Sequence, residues 1–195
     1  MKKKSKKAVE FLTSLHKYIT THESLRNDTH KKTEQAIQTE IRPIIINFLE
    51  DYFKELGYKD YIAKANNAFY WEGQEGNSDK NRTTVFNSRN YPDFIIKSPY
   101  LIAMEYKKST YGTVVKHAIG QAIIHTMCNE YEYVYCLFKD ENTDDRILNT
   151  VNKNDEGEII ANIWENFNVF FRIIGNIWWY HIFGQCNKCN FRWSK

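Results

Sequence analysis

A chain of 195 residues that is 42% hydrophobic and 15% aromatic carries too much apolar surface to stay unfolded in water, and its length suits a single domain with a real core. Its net charge of +3 is too small to mark a nucleic-acid binder by charge alone. The most apolar span, 168 to 184, is broken by Arg172, Gly175, Asn176 and His181 and is too short to cross a bilayer, while four cysteines without a paired framework (Cys128, Cys136, Cys186 and Cys189) fit a reducing, intracellular setting, the cytoplasm in a bacterium.

The run KKKSKK after Met1 reads as a basic disordered tail over 1–7, without the apolar segment of a secretion signal. A single domain over 8–195 follows. From Ala8 to about Leu25, the residues Val9, Phe11, Leu12, Leu15, Tyr18 and Ile19 recur at helical spacing. A second helix is expected to start near Asp28 or Thr29, both N-cap types, and to carry an apolar stripe from Ile37 to Leu56 before ending at Gly57. Pro43 should kink it or divide it.

Residues 66 to 90 mix Gly, Asn, Ser and Asp with a few aromatics and read as a strand, a long loop and a second strand. Strands at 93–97 and 100–108 turn about Ser98-Pro99, and a helix covers 113–128. A strand at 133–138, a polar loop over 140–155 and a helix over 156–166 come next. Strands at 169–174 and 177–183 close the order as an aromatic C-terminal hairpin, with Gly175-Asn176 suited to a tight turn. This order specifies an α/β fold, a mixed central sheet flanked by helices.

The stretch NYPDFIIKSPYLIAMEYKK, 90 to 108, concentrates charge where strands are expected. An antiparallel hairpin about residues 98 and 99 sets Asp93 opposite Glu105, and the strand period of two puts Lys107 on the same face. Phe94, Ile96, Ile102, Met104 and Tyr106 take the other face, while Leu101 and Ala103 give Glu105 an apolar floor. Two close carboxylates repel, and a divalent cation between them relieves the repulsion. Hard oxygen ligands suit Mg²⁺, with Mn²⁺ as a substitute. A lysine beside it would serve the attacking water and the charge that develops on a phosphate.

Pro92-Asp93 followed by Glu105-Tyr106-Lys107 resembles the signature of the PD-(D/E)xK nuclease superfamily, of restriction-endonuclease-like fold. The resemblance spans about residues 30 to 175. It implies metal-dependent phosphodiester hydrolysis, with Asp93 and Glu105 as metal ligands and Lys107 as the catalytic lysine. Members often add a glutamate from the first core helix, for which Glu34 and Glu40 compete. Glu34 falls in register with Ile37, Ile41, Phe48 and Tyr52 and is preferred as the third ligand. Many members also carry a Q-x3-Y pattern on the helix after the lysine. Here Gln121 fits, but His125 stands in the tyrosine position, within a row formed by His117, Gln121 and His125.

Without a helicase or ATPase motif, the chain resembles a free-standing type II restriction enzyme that cuts double-stranded DNA as a homodimer. A junction resolvase, a repair nuclease, an RNA-cutting member or an inactive nucleic-acid-binding module would read alike. Lys80, Arg82, Arg89, Lys107, Lys108 and Lys116 gather around the motif as a phosphate-tracking surface would. The loops at 71–90 and 139–155 are candidates for base readout. Cys186 and Cys189 form half a zinc ribbon and are read as two free thiols, with zinc the alternative, within the chain or across a dimer. Trp164, Trp178, Trp179, Tyr180 and Trp193 suit a core or a dimer interface better than base stacking.

Overall fold

The computed structural model of the chain describes residues 4–25, 31–74, 83–85, 87–108, 112–127, 131–139, 157–174 and 181–182. Its helices are α1 (Lys6–Thr21), α2 (Glu34–Glu55), α3 (Tyr61–Ala68), α4 (Gly112–Met127) and α5 (Gly157–Phe167), with a short 3-10 turn at Glu23–Leu25. The strands are β1 (Phe69–Trp71), β2 (Thr83–Val85), β3 (Ser88–Asn90), β4 (Phe94–Ile96), β5 (Ile102–Lys108), β6 (Tyr133–Lys139), β7 (Val169–Ile174) and β8 (His181–Ile182). Six of them form one sheet in the order β1-β4-β5-β6-β7-β8, and β2 pairs with β3 apart from it.

Pairing is antiparallel at β1-β4, β4-β5 and β7-β8 and parallel at β5-β6 and β6-β7. The sheet is therefore mixed, as expected, and the two parallel steps are made by crossovers through α4 and α5. The β4-β5 register pairs Phe94 with Met104, Ile95 with Ala103 and Ile96 with Ile102, which is the register expected from the Ser98-Pro99 turn. Alternation then sorts the two faces. Phe94, Ile96, Ile102, Met104 and Tyr106 join α1 and α2 through Leu12, Leu15, Ile41, Ile45 and Leu49 in one core. Ile95, Ala103, Val134 and Cys136 meet Ala118 and Ala122 of α4 in the other. Helices on both faces make the central strands nearly continuous in burial.

Several boundaries differ from those expected. The stretch Lys4–Lys7 is engaged and is not a free tail: α1 begins at Lys6, and the Lys4 ammonium lies 2.9 Å from Glu165 and over the Trp164 ring. Residues 1–3 lie outside the described residues, as do Asp28 and Thr29. The cap of α2 is Thr33, whose hydroxyl accepts the Ala36 N–H at 3.2 Å. Its other end is a Schellman turn. Gly57 has φ +83, its N–H donates to the Lys54 carbonyl, the Tyr58 N–H donates to that of Phe53, and the Phe53 and Tyr58 rings pack at 5.8 Å. The helix α3 was not expected, because only Ala65 and Ala68 of it are buried and no apolar stripe announces it. In place of a single second strand before residue 90, β2 and β3 form a short hairpin.

At β7-β8, Arg172 pairs with Ile182, where a two-residue turn at Gly175-Asn176 would have set it opposite Trp179. The register therefore differs from the one that turn would set, and residues 175–180 lie outside the described residues. Trp164 is buried and stacked on Tyr133, a core role. Trp178, Trp179, Tyr180, Trp193, Cys128, Cys186, Cys189 and the loop over 140–155 lie outside the described residues. Among the described residues no helix is long and apolar enough to cross a membrane.

Pro43 neither divides α2 nor ends it. It faces solvent while Ile41, Ile44 and Ile45 are buried around it, so packing on one face carries the helix across the missing hydrogen bond. Pro43→Ala restores a donor and removes the ring from the helix interior, and should stabilise the protein by about 1–3 kcal/mol in urea unfolding. A loss of stability would instead show that the backbone shape set by proline is needed for packing.

Candidate active site

Asp93, Glu105 and Lys107 of the 90–108 stretch converge at one end of the sheet. Asp93 sits just before β4, Glu105 and Lys107 lie on β5, and Glu34 is the first residue of α2. Three elements distant in sequence thus deliver one carboxylate each to the Lys107 ammonium. Its Nζ lies 3.4 Å from Asp93 Oδ2, 3.4 Å from Glu105 Oε2 and 3.7 Å from Glu34 Oε1.

Each carboxylate has a second, fixing contact. Asp93 Oδ2 accepts the backbone N–H of Tyr106 at 2.7 Å, which locks it across the hairpin. Glu34 Oε2 accepts the backbone N–H of Lys108 at 2.8 Å, so the start of α2 is pinned to the end of β5. Glu105 Oε1 meets His125 Nε2 at 3.0 Å, while its Oε2 is buried and makes no hydrogen bond. Glu105 is 1% exposed and Asp93 8%. A simple exposed ion pair across a surface hairpin is therefore excluded, because water does not screen these charges.

Electrostatics follow from that burial. Desolvation, reinforced by the negative charge of Glu105, pushes the Asp93 carboxyl up to about 7 against the pull of Lys107 and the Tyr106 N–H. For Lys107, burial works to lower the pKa, but Asp93, Glu105 and Glu34 together outweigh it and hold the ammonium above its usual range. Lys107 is consequently a hydrogen-bond donor at any physiological pH and is no base. Cys136, opposite Glu105 in the β5-β6 register, is fully buried and its thiol is pushed well up, first by burial and then by Glu105. It is neither a thiolate nor a ready metal ligand.

The other expected site residues separate. Glu40 turns away and pairs with Lys32 at 2.7 Å. The row on α4 divides by depth: His117 is exposed, Gln121 is half-buried and His125 is fully buried. Gln121 Oε1 is buried and meets no donor, one turn before His125. From the sequence His125 is only one of a row of three on its helix, standing where the family pattern has tyrosine. In the structure it contacts Glu105 directly, and its place in the row with Gln121, together with that tyrosine position, was the available signal. Among the basic residues, Lys108 Nζ donates to the Lys32 carbonyl at 2.6 Å and Lys116 is exposed on α4. Lys80, Arg82 and the Arg89 side chain lie outside what is described.

Two oxygen ligands facing each other across a buried floor suit a hard divalent cation. The fit rests on Glu105 Oε2, a buried carboxylate oxygen facing only the Lys107 ammonium at 3.4 Å, and on Asp93, whose charge is only partly compensated. Among the described residues no three His, Cys, Asp or Glu side chains are gathered around one point. Glu34 in particular is drawn to Lys108 and Lys107 instead of sharing a centre with Asp93 and Glu105. One or two carboxylates are as many protein ligands as Mg²⁺ commonly takes, so Asp93 and Glu105 would suffice to hold it. Comparison of the chain with protein-family models, with curated proteins and with solved structures gives no match.

Proposed function

We propose that the protein is a magnesium-dependent nuclease of the PD-(D/E)xK, restriction-endonuclease-like kind, hydrolysing phosphodiester bonds of double-stranded DNA. The observation that carries this reading is the meeting of Asp93, Glu105 and Lys107 at the end of a mixed sheet, on buried ground and within 3.4 Å of the Lys107 ammonium. Asp93 and Glu105 would hold the metal, with Glu34 close enough to Lys107 to complete the negative wall. When bound, Mg²⁺ supplies Lewis-acid polarisation of the phosphate and a more acidic water.

The chain's own residues do the rest. Lys107, kept as an ammonium, presents donors to the water and to the negative charge that grows on phosphate oxygens. The Tyr106 N–H keeps Asp93 aimed along the face, and the apolar floor from Ile95, Ala103 and Cys136 keeps water out from below, which strengthens every charge interaction above it. Gln121, with a buried oxygen that needs a donor, would accept from water or substrate on the α4 side. One site cuts one strand, so two copies of the site are needed for a double-strand cut, and a site-specific homodimer of type II restriction character is the form proposed. Magnesium-dependent hydrolysis of duplex DNA, set beside an RNA duplex and a four-way junction at equal concentration, tests the reading; faster hydrolysis of either comparator would move the substrate assignment to it.

A further inference from the structure

We infer that His125 is a positioning residue for Glu105, holding one carboxylate oxygen so that the other faces the metal position. The inference rests on the proposed metal site. It starts from the asymmetry of Glu105: Oε1 has a close hydrogen-bond partner, His125 Nε2 at 3.0 Å, whereas Oε2 faces only the more distant Lys107 ammonium, at 3.4 Å. Glu105 and His125 are both buried, at 1% and 0% exposure, so water is not available to take over the role of either.

A carboxylate that is to hold a metal accepts only, so the tautomer that serves it carries the hydrogen on Nε2 and donates it to Oε1. That bond removes the free rotation of the terminal Glu105 carboxylate, which otherwise has a broad, two-fold torsional preference. The ring itself is held on α4, edge-on to Tyr131 with centroids 5.9 Å apart, while Ala118 and Ala122 on the same helix pack into the sheet. The chain from the packed helix to imidazole to Oε1 therefore sets where Oε2 points. Glu105 lies on β5 and His125 on α4, so the crossover that builds the fold also supplies the support for the ligand. Such outer partners of metal-binding carboxylates typically change metal affinity by about 10–100-fold when removed.

The test compares two polar variants that differ in reach. The side-chain amide of His125→Gln can place an N–H close to where Nε2 stood, whereas that of His125→Asn is one methylene shorter and falls short of Oε1. Each purified variant, checked for folding by circular dichroism, is titrated calorimetrically with Mn²⁺ in the absence of DNA. Mn²⁺ affinity should fall about 10–100-fold in His125→Asn and return to within a few-fold of wild type in His125→Gln. A merely structural histidine would shift the melting temperature of both variants without this ordering of affinities. Wild-type affinity in a folded His125→Asn overturns the positioning role alone. A wild-type protein that binds no Mn²⁺ overturns the metal site and the inference with it.

Discussion

Lys107→Ala should lose stability in EDTA, more at pH 8 than at pH 5, and Mg²⁺ should restore much of the loss. Removing the ammonium leaves Asp93 and Glu105 uncompensated at the end of β5, with Glu34 nearby. Breaking one side of such a buried set typically costs about 3–5 kcal/mol. The pH dependence comes from Asp93. Its carboxyl is raised from an ordinary 3.8 to about 7, so at pH 5 it already holds a proton and repels its neighbours less. Without the lysine that holds it down its pKa climbs further, so between pH 7 and pH 8 the variant goes on losing stability after the wild type has levelled off. Lys107 adds no slope of its own in this range: a raised lysine pKa gives stability that is fully present below its ordinary 10.5 and is lost only when pH climbs through the higher folded value.

A divalent ion can take the place the ammonium vacates, so Mg²⁺ should raise the melting temperature of the variant more than that of the wild type. Saturation to about 100 times the dissociation constant contributes about 2.7 kcal/mol. Cleavage, in contrast, should stay about 10²–10³-fold below wild type at saturating Mg²⁺, because a donor to the developing charge is gone. Thermal unfolding at pH 5 and pH 8, with EDTA or Mg²⁺, reads all of this. Equal losses at both pH values, or a loss that Mg²⁺ leaves untouched, would place the energetic role of Lys107 elsewhere.

Asp93→Asn should show the opposite sign in stability and the same loss in function. A carboxyl whose folded pKa exceeds its unfolded one binds its proton more tightly when folded. The stability it contributes is present at pH 4 and lost as pH rises towards 7. At ~1.4 kcal/mol per unit, that window makes the wild type less stable than an uncharged counterpart by about 2–4 kcal/mol at pH 8. Asparagine is that counterpart. Its carbonyl oxygen can stand where Oδ2 stands, accepting the Tyr106 N–H and lying near the Lys107 ammonium. The variant should melt roughly 5–10 °C higher than wild type at pH 8, with about a third of that gain already present at pH 5 and nearly none below pH 4. Its cleavage should fall by about a thousandfold, several kcal/mol of lost metal assistance at 1.36 kcal/mol per decade. A variant no more stable at pH 8 would mean that Asp93 is ionised without penalty. Such a trade of stability for a charged site is the pattern expected where function demands it.

Much of this site was legible in the sequence. The hairpin register was readable because apolar residues alternate on both sides of Ser98-Pro99, and a one-residue slip would have turned Phe94, Ile96, Met104 and Tyr106 out of the core. The placement of Glu34 beside Lys107, though not the metal contact expected of it, was readable because it shares the apolar stripe of its helix. What the sequence left open concerns depth and distance. A row at i, i+4 and i+8 gives direction on a helix but not how far each turn lies from the sheet, so His117, Gln121 and His125 looked alike and end with different exposures. The start of α2 was ambiguous for a local reason: Asp28, Thr29 and Thr33 are all N-cap types, and the hydrogen bond to Ala36 belongs to Thr33. The convergence of three carboxylates on Lys107 depends on contacts between residues as far apart as 34 and 107, which no window on the chain contains.

The most direct test of the central claim is hydrolysis by the wild-type protein. Purified chain is incubated with long duplex DNA of mixed sequence in Mg²⁺ or in EDTA, and the products are separated on a gel. Discrete fragments that form with Mg²⁺ and disappear with EDTA are the predicted result. Intact DNA in both, from protein that still binds it, would contradict the assignment of Asp93, Glu105 and Lys107 as a centre for cutting duplex DNA.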